Sequence, residues 1–300
     1  MDKRFTITFT AQDSGILLRE AIQIYGISKR ALTAIKFDGG EITVNGIEEN
    51  VRYNLKQGDV VQIKFPLEEA SEGLIAEYHL PFEIIYEDDY VLVLNKPPYV
   101  STIPSREHPT GSVANYLIGY YEQKHIHSTV HVVTRLDRDT SGLMCIAKHR
   151  HIHHLMSEQQ KNGDVHREYE AIVHGHVQND FLSIVQPIGR KETSIIEREV
   201  REDGQFAHTD LTVLARFEHG GQPMTHIRLK LYTGRTHQIR VHCAYIGHPL
   251  VGDELYGGSR DLLPHQALQC MSLSFIHPIE RKVMHFTCKL RQELMNLMTN

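Results

Sequence analysis

The stretch from Arg135 to Asp139 places two arginines and two aspartates within five residues. A turn, Thr140-Ser141-Gly142, follows, and then an uninterrupted apolar run, Leu143 to Ala147, which predicts a buried strand. A carboxylate beside an apolar strand is costly unless it is paired with a cation. The chain must therefore fold so that these charges either neutralise one another at the surface or form a paired site, and the charge pattern alone favours neither.

The length of 300 residues is too great for one small domain and suits a small module joined to a larger one. No apolar run exceeds five residues, so we predict no membrane-spanning segment. The amino terminus has no apolar signal core and alternates as a strand does at Phe5, Ile7 and Phe9. The four cysteines are widely spaced among apolar residues, which predicts reduced, buried thiols in a cytoplasmic protein rather than disulfides or a zinc site.

The net charge of −5 argues mildly against nucleic acid as a partner, because nucleic-acid-binding proteins are usually basic. The distribution of charge matters more than the sum. Residues 226–248 contain no acid but carry Arg228, Lys230, Arg235 and Arg240. A local positive patch binds phosphate within a Debye length of about 8 Å, whatever charge the remote surface carries.

Residues 14–66 form a predicted small α/β module. Apolar residues at helical spacing predict a helix that ends at Gly26, and Ser28 is the expected N-cap of a second helix with Lys29 and Arg30 in its first turn. An Asn45-Gly46 turn predicts a hairpin after it. Residues 67–80 lose periodicity and gain acids, as a linker does, and residues 81–300 follow as the larger domain.

The mixture of predicted strands and helices in the larger domain indicates an α+β fold. The pattern predicts helices over 111–121 and 151–161, and strands over 84–94 (two, around an Asp88-Asp89 turn), 143–147, 167–175, 211–217, 227–232, 272–277 and 282–288.

Residues 135–142 (Arg-Leu-Asp-Arg-Asp-Thr-Ser-Gly) resemble the signature of the pseudouridine synthases of the large-ribosomal and dual-specificity type. The resemblance implies that Asp137 is the catalytic residue. It also implies a central, mostly antiparallel mixed sheet flanked by helices, preceded here by a small module similar to the S4-like RNA-binding module. Eight consecutive matching residues, most of them polar, seldom arise by chance.

Three further motifs resemble this family in order. They are Asn95-Lys96-Pro97, the strand 167–175 with Tyr169 placed 32 positions after Asp137, and residues 233–240 (Thr-Gly-Arg-Thr-His-Gln-Ile-Arg). The resemblance implies that Arg240 pairs with Asp137 and that Tyr169 stacks on the uracil and relays a proton. The chain departs from the family where Tyr99-Val100 and Ile103-Pro104 replace its usual residues, and where Thr134 replaces a histidine.

The reaction implied cuts the N1–C1′ bond of uridine, rotates the uracil and rejoins it through C5. Nothing in it needs redox, ATP or metal chemistry, so we expect no cofactor. Asp137 acts either as a nucleophile at C1′ or as a base at C2′, and the sequence does not choose between them.

The expected partner is RNA, ribosomal or transfer, bound by a monomer. The target base must leave its stack, at a cost of a few kcal/mol, and the resemblance implies that Arg135 occupies the vacated place. The further RNA-binding residues that we predict are Arg138, Arg235 and His237 in the larger domain and Ser28, Lys29 and Arg30 in the module.

Two other functions compete with this one. An inactive RNA-binding or ribosome-associated factor on the same fold has no reason to keep Asp137, Tyr169 and Arg240 together. A metal-dependent hydrolase would use the four histidines at 149, 151, 153 and 154, of which the first and third are four residues apart. No Glu or Cys accompanies them in a zinc-binding pattern, so we interpret them as surface histidines.

Overall fold

The computed structural model describes residues 4–68 and 73–299, and within these ranges the chain forms a small unit and a large one. The helices are α1 Leu18–Ile24, α2 Lys29–Phe37, α3 Val113–Lys124, α4 Arg150–Asn162, α5 Gln238–Tyr245 and α6 Gln292–Met298, with a short 3-10 helix at Glu254–Tyr256. The strands are β1 Thr6–Thr10, β2 Glu41–Val44, β3 Ile47–Glu48, β4 Val60–Lys64, β5 Glu83–Glu87, β6 Val91–Lys96, β7 His131–Val132, β8 Ser141–Ala147, β9 His166–His174, β10 Phe181–Val185, β11 Ile188–Arg190, β12 Arg198–Val200, β13 His208–His219, β14 Gln222–Leu231, β15 Leu268–Ile276 and β16 Val283–Thr287.

The small unit packs α1 and α2 on an antiparallel sheet of order β1-β4-β2-β3. Ser28 caps α2 as predicted, because its hydroxyl accepts a hydrogen bond from the backbone N–H of Ala31 at 3.2 Å. Strand β1 precedes residue 14, where the predicted module begins, yet it pairs with β4 along five residues. The division at 14–66, 67–80 and 81–300 stays a prediction, and residues 69–72 of the linker lie outside the described residues.

The large unit is built on a sheet of order β10-β13-β14-β9-β15-β8-β6-β5, with β16 added to β15 and β7 to β8. Among the described pairs, β8 and β15 run parallel and the others antiparallel, which confirms the mostly antiparallel mixed sheet. Every residue of β8 is buried, as the apolar run predicted. The cysteines are free thiols, of which Cys145, Cys243 and Cys270 are buried and Cys288 partly buried. None of the described helices has the length and apolar character needed to cross a membrane.

The two units meet at the start of α4, where the surface interpretation of the histidines is partly wrong. His149 and His151 are 2% and 4% exposed. The ring of Phe5, from the small unit, stacks on His149 at 4.1 Å, and Nε2 of His151 lies 3.1 Å from the carbonyl oxygen of Tyr25. These contacts from the small unit cover the two rings. Within the described ranges, no group of three His, Cys, Asp or Glu residues is arranged to hold a metal ion.

Glu68 lies in the predicted linker, but its side chain is only 2% exposed. Its carboxylate contacts His131 Nε2 at 2.8 Å and accepts hydrogen bonds from the backbone N–H and Nε of Arg150 at 2.8 and 3.0 Å. Burial raises the pKa of Glu68, but the hydrogen bond from His131 and the neighbouring positive groups lower it well below its usual range. This acid therefore ties the segment after β4 to the large unit.

Candidate active site

The loop between β7 and β8 carries Asp137 and is held by hydrogen bonds to its backbone. The hydroxyl of Thr102 donates to the carbonyl oxygen of Leu136 at 2.7 Å, and Nζ of Lys96 donates to that of Arg138 at 2.9 Å. The carbonyls of the residues on both sides of Asp137 are thus fixed. Its carboxylate, 30% exposed, is left facing the cleft.

Lys96 supports this loop from the end of β6. Its side chain is fully buried, and Nζ also donates to the carbonyl oxygens of Pro97 and Val100, at 2.9 and 2.8 Å. Burial lowers the pKa of Lys96 to about 7, against the opposing charges of Asp137 and Asp139. Asn95-Lys96-Pro97 was recognised as a motif, but no function was predicted for Lys96. Its hydrogen bonds show that it supports the backbone of the loop that carries Asp137.

Arg240, on α5, joins two carboxylates. Its Nε and Nη2 donate to Asp253 at 2.7 Å each, and its Nη1 donates to Asp137 at 3.2 Å. Burial lowers the pKa of Arg240, but the hydrogen bonds and charges of Asp253 and Asp137 outweigh it and raise that pKa above its usual range. The expected contact between Asp137 and Arg240 is present. Asp253, which sequence reasoning left without a function, is the partner that orients the guanidinium.

His237 lies beside the same carboxylate. Its backbone is left-handed, with φ of 58°, an unusual conformation for a residue with a side chain, and its ring lines the cleft. Nδ1 lies 2.8 Å from the hydroxyl of Tyr256, and Nε2 lies 3.8 Å from Oδ2 of Asp137. The Tyr256 ring also lies against the Arg240 guanidinium, with its centroid 4.9 Å from the guanidinium carbon. Burial lowers the pKa of His237, which favours the neutral ring.

Tyr169 reaches the cleft from β9, in the middle of the sheet. It is 4% exposed and is paired in register with Leu229 and Cys270 on the neighbouring strands. Burial raises the pKa of its phenol. The side chain therefore offers an aromatic surface and a protonated hydroxyl.

Of the predicted RNA-binding residues, Arg135, Arg235 and His237 line one cleft of about 540 Å³ together with Asp137, Tyr169 and Arg240. Arg138 is not part of this lining, and its Nε lies 3.3 Å from Asp139. Ser28, Lys29 and Arg30 are exposed on the small unit and do not line the cleft.

A mostly antiparallel mixed sheet, with Asp137 and Arg240 paired in a cleft that Tyr169 also lines, is the arrangement that the resemblance to the pseudouridine synthases implied. Residues 90–245 match the family model of RNA pseudouridylate synthases, so the chain belongs to this family, whose members isomerise uridine in RNA.

Relatives agree with this assignment. The chain is 53% identical to the uncharacterized RNA pseudouridine synthase YjbO of Bacillus subtilis (strain 168), over 91% of this chain and 94% of that protein. It is 33% identical to the ribosomal large subunit pseudouridine synthase D of Pseudomonas aeruginosa, over 93% and 89% of the two chains. Among solved structures, it is similar to human RNA pseudouridylate synthase domain containing 1, with 28% identity, a TM-score of 0.58, and coverage of 69% of this chain and 83% of that one.

Proposed function

We propose that the chain converts specific uridines to pseudouridine in structured RNA, with Asp137 as the catalytic carboxylate and without a cofactor. The observation that carries this proposal is the carboxylate of Asp137, open to the cleft and held on one oxygen by Arg240 at 3.2 Å. An arginine so placed orients the carboxylate and pairs with its negative charge. Ribosomal or transfer RNA is the proposed substrate, and relatives named ribosomal large subunit pseudouridine synthase D favour ribosomal RNA.

The reaction balances without an added reactant. The N1–C1′ bond breaks and leaves its electron pair on the uracil, which turns so that C5 bonds to C1′. One proton leaves C5 and one is gained at N1. Asp137 serves as a nucleophile at C1′ or as a base at C2′, and either role needs an ionised carboxylate. Tyr169 stacks on the uracil, and its hydroxyl, which the raised pKa keeps protonated, takes the C5 proton as it passes its own proton to water, and water supplies the proton gained at N1.

The RNA contacts follow from charge and exposure. Arg135 fills the stack that the extruded uridine leaves, and its exposure at the cleft two residues before Asp137 supports this role. Arg235 and His237 also line the cleft, while Arg138 contacts RNA outside it. Ser28, Lys29 and Arg30, at the start of α2, bind backbone phosphate as in an S4-like module.

Release of tritium from unmodified large-subunit ribosomal RNA, transcribed with uridine labelled at C5, tests the proposal. The wild-type protein should release tritium, and Asp137→Asn, which keeps the volume but removes the charge, should lower the rate by at least about 10²-fold while affinity for RNA falls little. Asp139→Asn, the same change two residues away, is the control and should retain most of the rate. Release by Asp137→Asn at the wild-type rate would show that this carboxylate does not act in the reaction.

A further inference from the structure

A second cavity, of about 310 Å³, adjoins the cleft and plays no part in the mechanism above. It is lined by the β11–β12 ribbon, by residues 203–205 and by Arg235 and Thr236, the last two of which also line the cleft. Three arginines face this space, Arg190, Arg198 and Arg235. The cavity is therefore strongly basic and lies next to the cleft that holds the catalytic carboxylate.

The acids of the ribbon do not neutralise these arginines. Glu192, Glu199 and Asp203 gather around Arg201, at 3.1, 3.7 and 2.7 Å, and Glu197 pairs with a lysine on its own ribbon. Asp203, the acid that lines the cavity, has both carboxylate oxygens bonded by Arg201, at 2.7 and 2.8 Å. Arg201, and not the cavity arginines, therefore forms the ion pairs with Glu192, Glu199 and Asp203.

Two of the cavity arginines instead contact backbone. Nη1 of Arg198 donates to the carbonyl oxygens of Ile196 and Glu197 at 3.0 Å each, and Nε of Arg235 donates to that of Phe206 at 2.9 Å. Carbonyl oxygens fix a guanidinium in place but carry no charge to cancel its own. In the part of the chain that the structure describes, no carboxylate lies within 4.0 Å of the three cavity guanidiniums.

We propose that this basic cavity binds a backbone phosphate of a nucleotide next to the target uridine, an inference that rests on the proposed function. Guanidinium groups match phosphate oxygens in pairs, so exposed Arg190 holds the two non-bridging oxygens of one diester, while Arg198 and Arg235 add positive potential beside it. The residues shared with the cleft put this phosphate beside the extruded base. Exposed Phe206, Ile195 and Ile196 provide apolar surface for a flanking base, which favours an RNA strand over a free anion.

Binding of a short stem-loop that spans the modified uridine, measured over a range of salt concentrations, tests this site. Arg190→Gln should lower the magnitude of the salt slope by about 0.7 to 0.9, the contribution of one phosphate contact, and Arg190→Lys should restore it. Lys124→Gln, an equal charge change at the exposed end of α3, is the control and should leave the slope unchanged. Arg235→Gln, outside the ribbon, provides a second variant, and thermal melting shows that each is folded.

Stem-loops with a methylphosphonate at one linkage beside the uridine locate the phosphate. One neutral linkage should weaken binding to the wild type but not to Arg190→Gln. The proposal would be overturned if both arginine variants kept the wild-type salt slope. It would also be overturned if the neutral linkage weakened binding to both variants as much as it weakens binding to the wild type. Stabilisation of the wild type by inorganic phosphate that Arg190→Gln abolishes while its RNA slope stays normal would likewise overturn it, because the cavity would then serve a free anion.

Tritium release by the wild type separates the two proposals. If the wild type releases no tritium from any ribosomal or transfer RNA transcript while Arg190→Gln lowers the salt slope, the proposed function fails and the phosphate site stands. If the wild type releases tritium and the slope does not change, the phosphate site fails and the proposed function stands.

Discussion

Asp253 binds Arg240 through both carboxylate oxygens, at 2.7 Å each, and so leaves one nitrogen of the guanidinium to reach Asp137 at 3.2 Å. The two carboxylates share one cation, but unequally. Asp253 is 2% exposed and fully engaged, whereas the side chain of Asp137 is 30% exposed at the cleft. Asp253 therefore fixes the arginine, and the carboxylate of Asp137 stays open to the cleft.

Asp253→Ala should destabilise the fold by about 3–5 kcal/mol, because it leaves the buried guanidinium of Arg240 without its main partner. The free energy of unfolding in urea measures this. The control is Glu254→Ala, which breaks the exposed pair between Glu254 and Arg260 and should cost less than about 1 kcal/mol. Equal small losses in the two variants would show that the Asp253 pair contributes no more than a surface one.

Arg240→Ala should lower both the activity and the melting temperature, since it leaves two carboxylates unpaired, at a cost of about 3–5 kcal/mol. Arg240→Lys keeps the charge but presents a single nitrogen in place of a planar fork. It should recover part of the stability and little of the activity, because one ammonium does not hold Asp253 and Asp137 together. Full activity in the lysine variant would mean that only the charge at this position is needed.

Glu68→Gln should destabilise the protein in a pH-dependent way. The folded-state pKa of Glu68 is lowered, so its contribution is fully present above its ordinary value of 4.5 and is lost as the pH falls below it. The difference in melting temperature between wild type and variant should be large at neutral pH and shrink below pH 4.5. Glu158→Gln, in an exposed pair with Lys161, is the comparison and should show little difference at any pH. A pH-independent loss in Glu68→Gln would assign the effect to packing.

The double change Lys29→Glu with Arg30→Glu should weaken RNA binding and flatten its salt dependence, by about 0.7 to 0.9 for each phosphate that is no longer neutralised. Both side chains are exposed in the first turn of α2, so the fold should be retained. A titration at two salt concentrations measures the slope. An unchanged slope would remove RNA binding from the small unit and leave it a structural role.

Local patterns predicted much of this molecule. The apolar run 143–147 is the buried β8, Ser28 caps α2, and the residues that the motifs singled out, Asp137, Tyr169 and Arg240, line one cleft. Periodicity and capping depend on neighbouring residues, so they are visible in the sequence. A motif shared with a family predicts the local geometry found in that family.

The features that escaped prediction depend on contacts between distant parts of the chain. Glu68 was counted only among the acids of the predicted linker, because its partners lie 60 to 82 positions further on. His149 and His151 were interpreted as surface residues because the groups that cover them, among them Phe5 and the carbonyl of Tyr25, come from a distant part of the chain. Lys96 stood in a recognised motif, but its function, like that of Asp253, depends on which carbonyls or guanidinium the fold brings to it.

The stacking of Phe5 on His149 has a consequence for biosynthesis. Phe65, which lies beside Phe5 at the same edge of the small unit, also contacts His149, with ring centroids 5.0 Å apart. Both phenylalanines are synthesised well before His149. The nascent small unit therefore presents these two aromatic rings without their His149 contact until the start of α4 emerges, and during this interval they offer a surface to chaperones or to other nascent chains.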